Sequence, residues 1–219
     1  MSTGTDARAL ADDLTGNRES ARRLDCVYEY IRSGGAAEKR LRDLVRLESS
    51  AAGTEVSAYA IGALRYPHAI FQQLSAMAYS AQRKLPAMES SVGLSSIALL
   101  TPPWTQESTA YLGLLCWTSL HGSQADFGMA IYADLHRYYH TAARLAEAFG
   151  DAPEAIPGDI IDYYSDEAPE GLCEQTLEFV QEGLDKGDDP DRALSVGRLM
   201  DECVVLYWKS VLAPRGETG

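Results

Sequence analysis

Between Ser123 and Phe149 the chain reads SQADFGMAIYADLHRYYHTAARLAEAF, the longest helical pattern it contains. At about 100° per residue, Phe127, Ala130, Ile131, Asp134, Tyr138, Ala142, Leu145 and Phe149 fall on one face. That face is a mostly apolar stripe with a carboxylate in its middle. Tyr132, His136, Tyr139, His140 and Ala143 fall on another. The rest of the chain reads as further helices arranged around this one.

Taken in order, residues 5 to 15 form a short first helix that starts near Thr5 or Asp6 and stops at Gly16. Asn17 caps the next, with Ala21, Leu24, Val27, Tyr28 and Ile31 at three- and four-residue steps before Gly34 and Gly35. Leu41, Leu44 and Val45 continue the period through a third helix, whose Arg and Glu residues read as a solvated face. Thr54 reads as the cap of a separate helix from Glu55 to about Arg65, and Pro67 as the break before a helix presenting Ile70, Leu74, Met77, Ala78 and Ala81. Residues 86 to 104 are irregular, with the apolar run Ile97 to Leu100 and the turn Thr101-Pro102-Pro103-Trp104 forming either a lid or a packed corner. Thr105 caps a helix through Tyr111, Leu114, Leu115 and Trp117 that closes at His121 and Gly122.

Residues 151 to 168 read as a linker or cap with one short helix around Gly158 to Tyr164. Another helix begins at Pro169 and ends at Gly187, and Asp189-Pro190 opens the last one. The last helix places Leu194, Gly197, Asp201, Val204, Trp208 and Val211 on one face. With no alternating strand pattern, the expected fold is a single all-α domain over residues 1–219. It is a bundle of about seven to nine helices centred on the long one, with residues 1–16 peripheral and 214–219 a frayed tail.

Composition narrows the partners. A hydrophobic fraction of 46% supplies a core for 219 residues. A formal charge of -13, with only 19 Lys and Arg, argues against nucleic acid or an anionic membrane and leaves room for an amine-bearing ligand. Cys26, Cys116, Cys173 and Cys203 are scattered, with no metal-type spacing. The segment MSTGTDARALADDL lacks the pattern of a secretory signal, and no apolar stretch is long enough to span a bilayer, so the expected setting is the cytoplasm.

Asp134 and Asp201 each interrupt an apolar stripe within a helix. A buried ionised carboxylate is costly unless paired, so two of them near one cavity make a general acid/base pair, with Tyr138 beside Asp134 as a third catalytic candidate. The alternative is that each is satisfied by a Tyr, an Arg or the backbone and only fixes helix register. His136 and His140 have the i, i+4 spacing of a helical metal pair. Asp134 lies about 200° around the helix from His136, so a third ligand must come from another helix, with Glu48, Glu55 and Glu202 available. No resident cofactor is expected. The histidines are placed with Tyr111, Trp208 and Trp104 as substrate contacts. There is no G-x-S-x-G elbow, P-loop or G-x-G-x-x-G motif.

The last helix, reading Asp201-Glu202-Cys203-Val204-Val205-Leu206-Tyr207-Trp208, resembles the heme-oxygenase-like bundles that include the TenA thiaminases, whose members end in an acidic residue followed by paired aromatics. Here the acid-to-aromatic spacing differs, no cysteine matches the TenA nucleophile, and His136 and His140 match the di-iron members only in part. The resemblance implies a bundle with a central pocket and no particular reaction. The functional expectation is a small-molecule enzyme of specialised metabolism, using buried carboxylate, Tyr and His groups for cyclisation, elimination or isomerisation of an amine-bearing metabolite. Its alternatives are a non-catalytic ligand binder or stabilising subunit in a homo- or hetero-oligomer, and a metal-dependent oxidase of heme-oxygenase-like fold.

Overall fold

The computed structural model describes residues 6–16, 19–94 and 104–213. All regular structure among them is helical: α1 (Ala7–Gly16), α2 (Glu19–Arg22), α3 (Asp25–Tyr30), α4 (Glu38–Arg65), α5 (Ile70–Ser91), α6 (Gln106–His121), α7 (Gln124–Gly150), α8 (Gly158–Tyr164), α9 (Leu172–Asp185) and α10 (Pro190–Leu212). A wide π-type turn, Ile31–Gly35, follows α3. The predicted cap at Asn17, the run 97–100, the turn at 101–103 and the tail 214–219 lie outside the described residues.

The central helix forms as its sequence predicts. Ser123 and Asp126 close a reciprocal capping box at its start, satisfying two backbone donors that the first turn leaves open. The stripe residues Phe127, Ala130, Ile131, Ala142, Leu145 and Phe149 are all buried. α7 packs against α10, α9, α8 and α6, while α4 packs against α5 and α6. Two glycines mark close approaches between helices: a Cβ on Gly62 of α4 would lie 2.4 Å from Phe127 and 2.5 Å from Phe71, and one on Gly128 of α7 would lie 2.6 Å from Val180. Thr105 with Ser108 caps α6, and Asp189 with Pro190 opens α10, as the spacing predicts. Arg65 ties the end of α4 to the end of α6 by donating to the carbonyls of Ser119 and Gly122 at 2.6 and 2.7 Å.

Three sequence expectations are corrected. Thr54 does not start a helix, because α4 runs unbroken from Glu38 to Arg65. The Thr54 hydroxyl donates to the Ser50 carbonyl at 3.0 Å and Ser57 to Gly53 at 3.0 Å, so both bond one turn back inside a continuous helix. Pro86 does not end α5, which continues to Ser91 and buries Leu85 and Met88 on either side of it. The helix expected through Ala21 to Ile31 is divided in two around Arg23 and Leu24.

Candidate functional site

The unbroken course of α4 decides what faces Asp134. Residues seven apart return to nearly the same side of a helix, so Glu48 and Glu55 both point from α4 towards α7. Asp134 is 4% exposed and Glu48 3%, and Glu55 is half-buried. All three line a cavity of about 430 Å³, mouth included, together with Tyr138 and Tyr139 of α7 and Tyr163 of α8. Met77, Ala78 and Ala81 of α5 form its opposite wall, where the two alanines leave the space open. Inward it extends to Tyr111 of α6 and Tyr207 and Trp208 of α10. Outward, Tyr138, Tyr139 and Tyr163 form a neck to a vestibule bounded by Asp166, Glu167 and Pro169. Lys84 of α5 holds that rim through Asp166, at 2.5 Å.

Among the described residues, no Lys, Arg or His lines the chamber or its vestibule. The carboxylates are met by phenols. Tyr207 and Tyr163 donate to the two oxygens of Glu48, each at 3.1 Å. The Tyr111 hydroxyl contacts Glu55 closely and lies 3.5 Å from Asp134 Oδ2. A phenol has one hydrogen, so it can donate to only one of these two carboxyl groups at a time. Burial, reinforced by the charge of Glu55, lifts Glu48 to about 7 against the tyrosine hydrogen bonds that pull it down. Burial also raises Glu55, and burial followed by the Glu55 charge raises Asp134 well above the usual carboxylate range.

The structure therefore brings Asp134, Tyr138, Tyr111 and Trp208 of the expected residues to one chamber. Asp201 is elsewhere: Arg137 Nε donates to its Oδ1 at 2.6 Å in a buried ion pair, so the expected common cavity of Asp134 and Asp201 is not formed. His136 and His140 are exposed on the outer side of α7, where the His136 ring stacks on Tyr132. No group of three or more His, Cys, Asp or Glu among the described residues is arranged to hold a metal ion. Trp104 stands outside the chamber, 63% exposed. The carboxylate partners that sequence reasoning did not assign to the site are Glu48 and Glu55. Their signal was present: they occupy positions in the buried stripe of Leu41, Leu44, Ala52, Tyr59 and Gly62 where apolar residues are expected.

No protein-family model matches the sequence, and no curated protein does. Solved structures do match in fold. A TenA family transcription regulator from a Silicibacter species superposes with a TM-score of 0.73 at 16% identity, covering 98% of this chain and 100% of that one. A TenA homologue from P. horikoshii gives 0.71 at 14% identity, over 93% and 98% of the two chains. A TenA homologue from Pyrococcus furiosus gives 0.69 at 14%, over 91% and 98%. The chain has the fold of a TenA-like helical bundle.

Proposed function

We propose that the chamber is the active site of a small-molecule enzyme in which Glu55 and Asp134 act as a general acid/base pair on an amine-bearing metabolite. The observation that carries this reading is the Tyr111 hydroxyl set between the two carboxyl groups at the inner end of a cavity that no Lys, Arg or His lines among the described residues. Two neighbouring carboxyls in low dielectric do not both ionise readily, so the pair holds a proton on one member and leaves the other as a base. One group can then take a proton from the substrate while the other gives one, which is what an elimination, cyclisation or isomerisation requires. The rings of Tyr138, Tyr139 and Tyr163 narrow the neck and keep bulk water from competing for those protons.

The test is an activity screen by mass spectrometry, with the purified protein and a panel of amine-bearing metabolites. The expected result is a conversion made by the natural protein and lost in Asp134→Asn and in Glu55→Gln. A conversion that proceeds at the natural rate in both variants overturns the assignment.

A further inference from the structure

The chamber's unmet hydrogen-bonding demands describe its ligand more narrowly, given the reading of the chamber as a substrate site. We propose that it selects a primary amine in its ammonium form, carrying a neutral hydrogen-bond acceptor elsewhere on the molecule, and that binding expels a proton held between Glu55 and Asp134.

The ammonium follows from the donor count. A primary ammonium presents three N–H donors and no acceptor, and Glu48, Glu55 and Asp134 converge on the cavity with no cationic side chain among its described lining residues. A quaternary ammonium has no donor to offer them. The tyrosine rings of the neck supply faces that attract a cation over a neutral isostere.

The proton follows from Tyr111. With Glu55 and Asp134 both ionised, its single hydrogen serves one carboxylate and its oxygen faces the other unfavourably. A proton on one of the pair removes that conflict in the empty chamber. An arriving ammonium removes it too, so the two compete for the same place. The charge balance is one ammonium in and one proton out to solvent.

The acceptor follows from Trp208. This side chain is 1% exposed and lines the inner end of the chamber, and its Nε1–H has no hydrogen-bond partner among the described residues. An indole nitrogen only donates, so an oxygen or nitrogen acceptor brought to the inner end by the ligand satisfies it. That acceptor is neutral, because an anionic one would sit against Glu48 and Asp134, which line the same inner end. Zwitterionic amino acids are thereby excluded, and amino alcohols fit.

The titratable groups that face the cavity are Glu48 and Glu55 from α4, Tyr111 from α6, Asp134 from α7 and Tyr207 from α10. Tyr138 and Tyr139 of α7 and Tyr163 of α8 complete them among the described residues, and α5 contributes none. Burial raises every one of these phenols above its ordinary value, so they stay protonated at neutral pH. Only the carboxyl groups and the ligand's own amine change charge there.

Calorimetric titration with 2-amino-1-phenylethanol and with ethanolamine, at about pH 7 in phosphate and in HEPES, a pair of buffers without a primary amine, tests the proposal. The expected result is binding of at least one amino alcohol with release of about one proton, read from the difference between buffers. 2-Phenylethylamine, which lacks the acceptor, binds about tenfold more weakly, and 2-phenylethanol and phenylalanine do not bind. Glu55→Gln abolishes the proton release, and Trp208→Phe, checked for helicity by circular dichroism, removes the advantage of the hydroxyl. The proposal is overturned if neither amino alcohol binds at millimolar concentration, if the neutral alcohol or phenylalanine binds as tightly, or if no proton is released. Ammonium binding without any conversion dependent on Asp134 leaves this inference standing and ends the enzymatic reading, and conversion of a neutral substrate does the reverse.

Discussion

Tyr207 donates its hydroxyl to Glu48 Oε1 at 3.1 Å, while Tyr163 meets the other oxygen, so a carboxyl group 3% exposed is held by neutral donors and by no cation among the described residues. Hydrogen bonds from phenols offset only part of the cost of burying its charge. The group accordingly titrates at about 7, above its ordinary value of 4.5.

Stability should therefore fall as pH rises through this window. The folded state binds the Glu48 proton more tightly than the unfolded chain does, so its contribution is complete below about pH 4.5 and is lost as pH approaches about 7. The shift corresponds to roughly 3 kcal/mol, and the raised Glu55 and Asp134 act in the same direction. Glu48→Gln should flatten the profile and be more stable than the natural protein at about pH 8 in urea denaturation. Parallel profiles for the two proteins would show that Glu48 is not the group responsible.

The Arg137–Asp201 pair predicts the opposite behaviour. The two side chains form a buried ion pair, so Asp201→Asn removes the charge facing a buried guanidinium and should cost about 3–5 kcal/mol. Conversion per folded molecule should be unchanged, because Asp201 does not line the chamber. A loss of turnover at unchanged melting temperature would return Asp201 to the catalytic group.

Close packing of Gly62 against the Phe127 and Phe71 rings gives a third expectation. In Gly62→Ala the new methyl would lie 2.4 Å from a Phe127 ring carbon and 2.5 Å from one of Phe71, closer than van der Waals contact allows. Overpacking of this kind costs about 1–3 kcal/mol. The melting temperature should drop, and Phe71→Leu in the same chain should recover part of the loss. Gly53→Ala, a control on the same helix where a Cβ meets nothing within 4 Å, should not destabilise.

Asp134 and Tyr138 could be read from the sequence because they interrupt or flank an apolar stripe on a helix with clear period and caps. Glu48 and Glu55, named there only as spare metal ligands, were not joined to Asp134 for a physical reason: Thr54 has the chemistry of a cap, and only the three-dimensional packing shows that its hydroxyl turns back to Ser50 instead. Splitting α4 there separates the two carboxylates and makes each look like part of a charged surface. Asp201 shows the same limit from the other side. Its stripe position is a correct indication of burial, but the partner that explains it, Arg137, lies on a different helix and carries no local mark. Tyr111 and Trp208 were recognisable as pocket aromatics, whereas His136 and His140 share their helix with Asp134 and face away from it.

The decisive variant remains Asp134→Asn. Asn keeps the volume of Asp and can still meet the Tyr111 hydroxyl, but it cannot take up a proton, so a general acid/base role shows as a rate loss of about 10²–10⁴-fold. Burial and the charge of Glu55 disfavour the ionised form of Asp134 in the folded protein, and a group held above its ordinary range in this way lowers stability once ionised. Removing it should therefore leave the melting temperature at neutral pH unchanged or raise it. Loss of conversion together with an equal or higher melting temperature is the joint result expected, measured on one preparation by turnover and by circular dichroism. A lowered melting temperature with normal turnover per folded molecule would instead make Asp134 a structural carboxylate, and the acid/base reading of the chamber would fail.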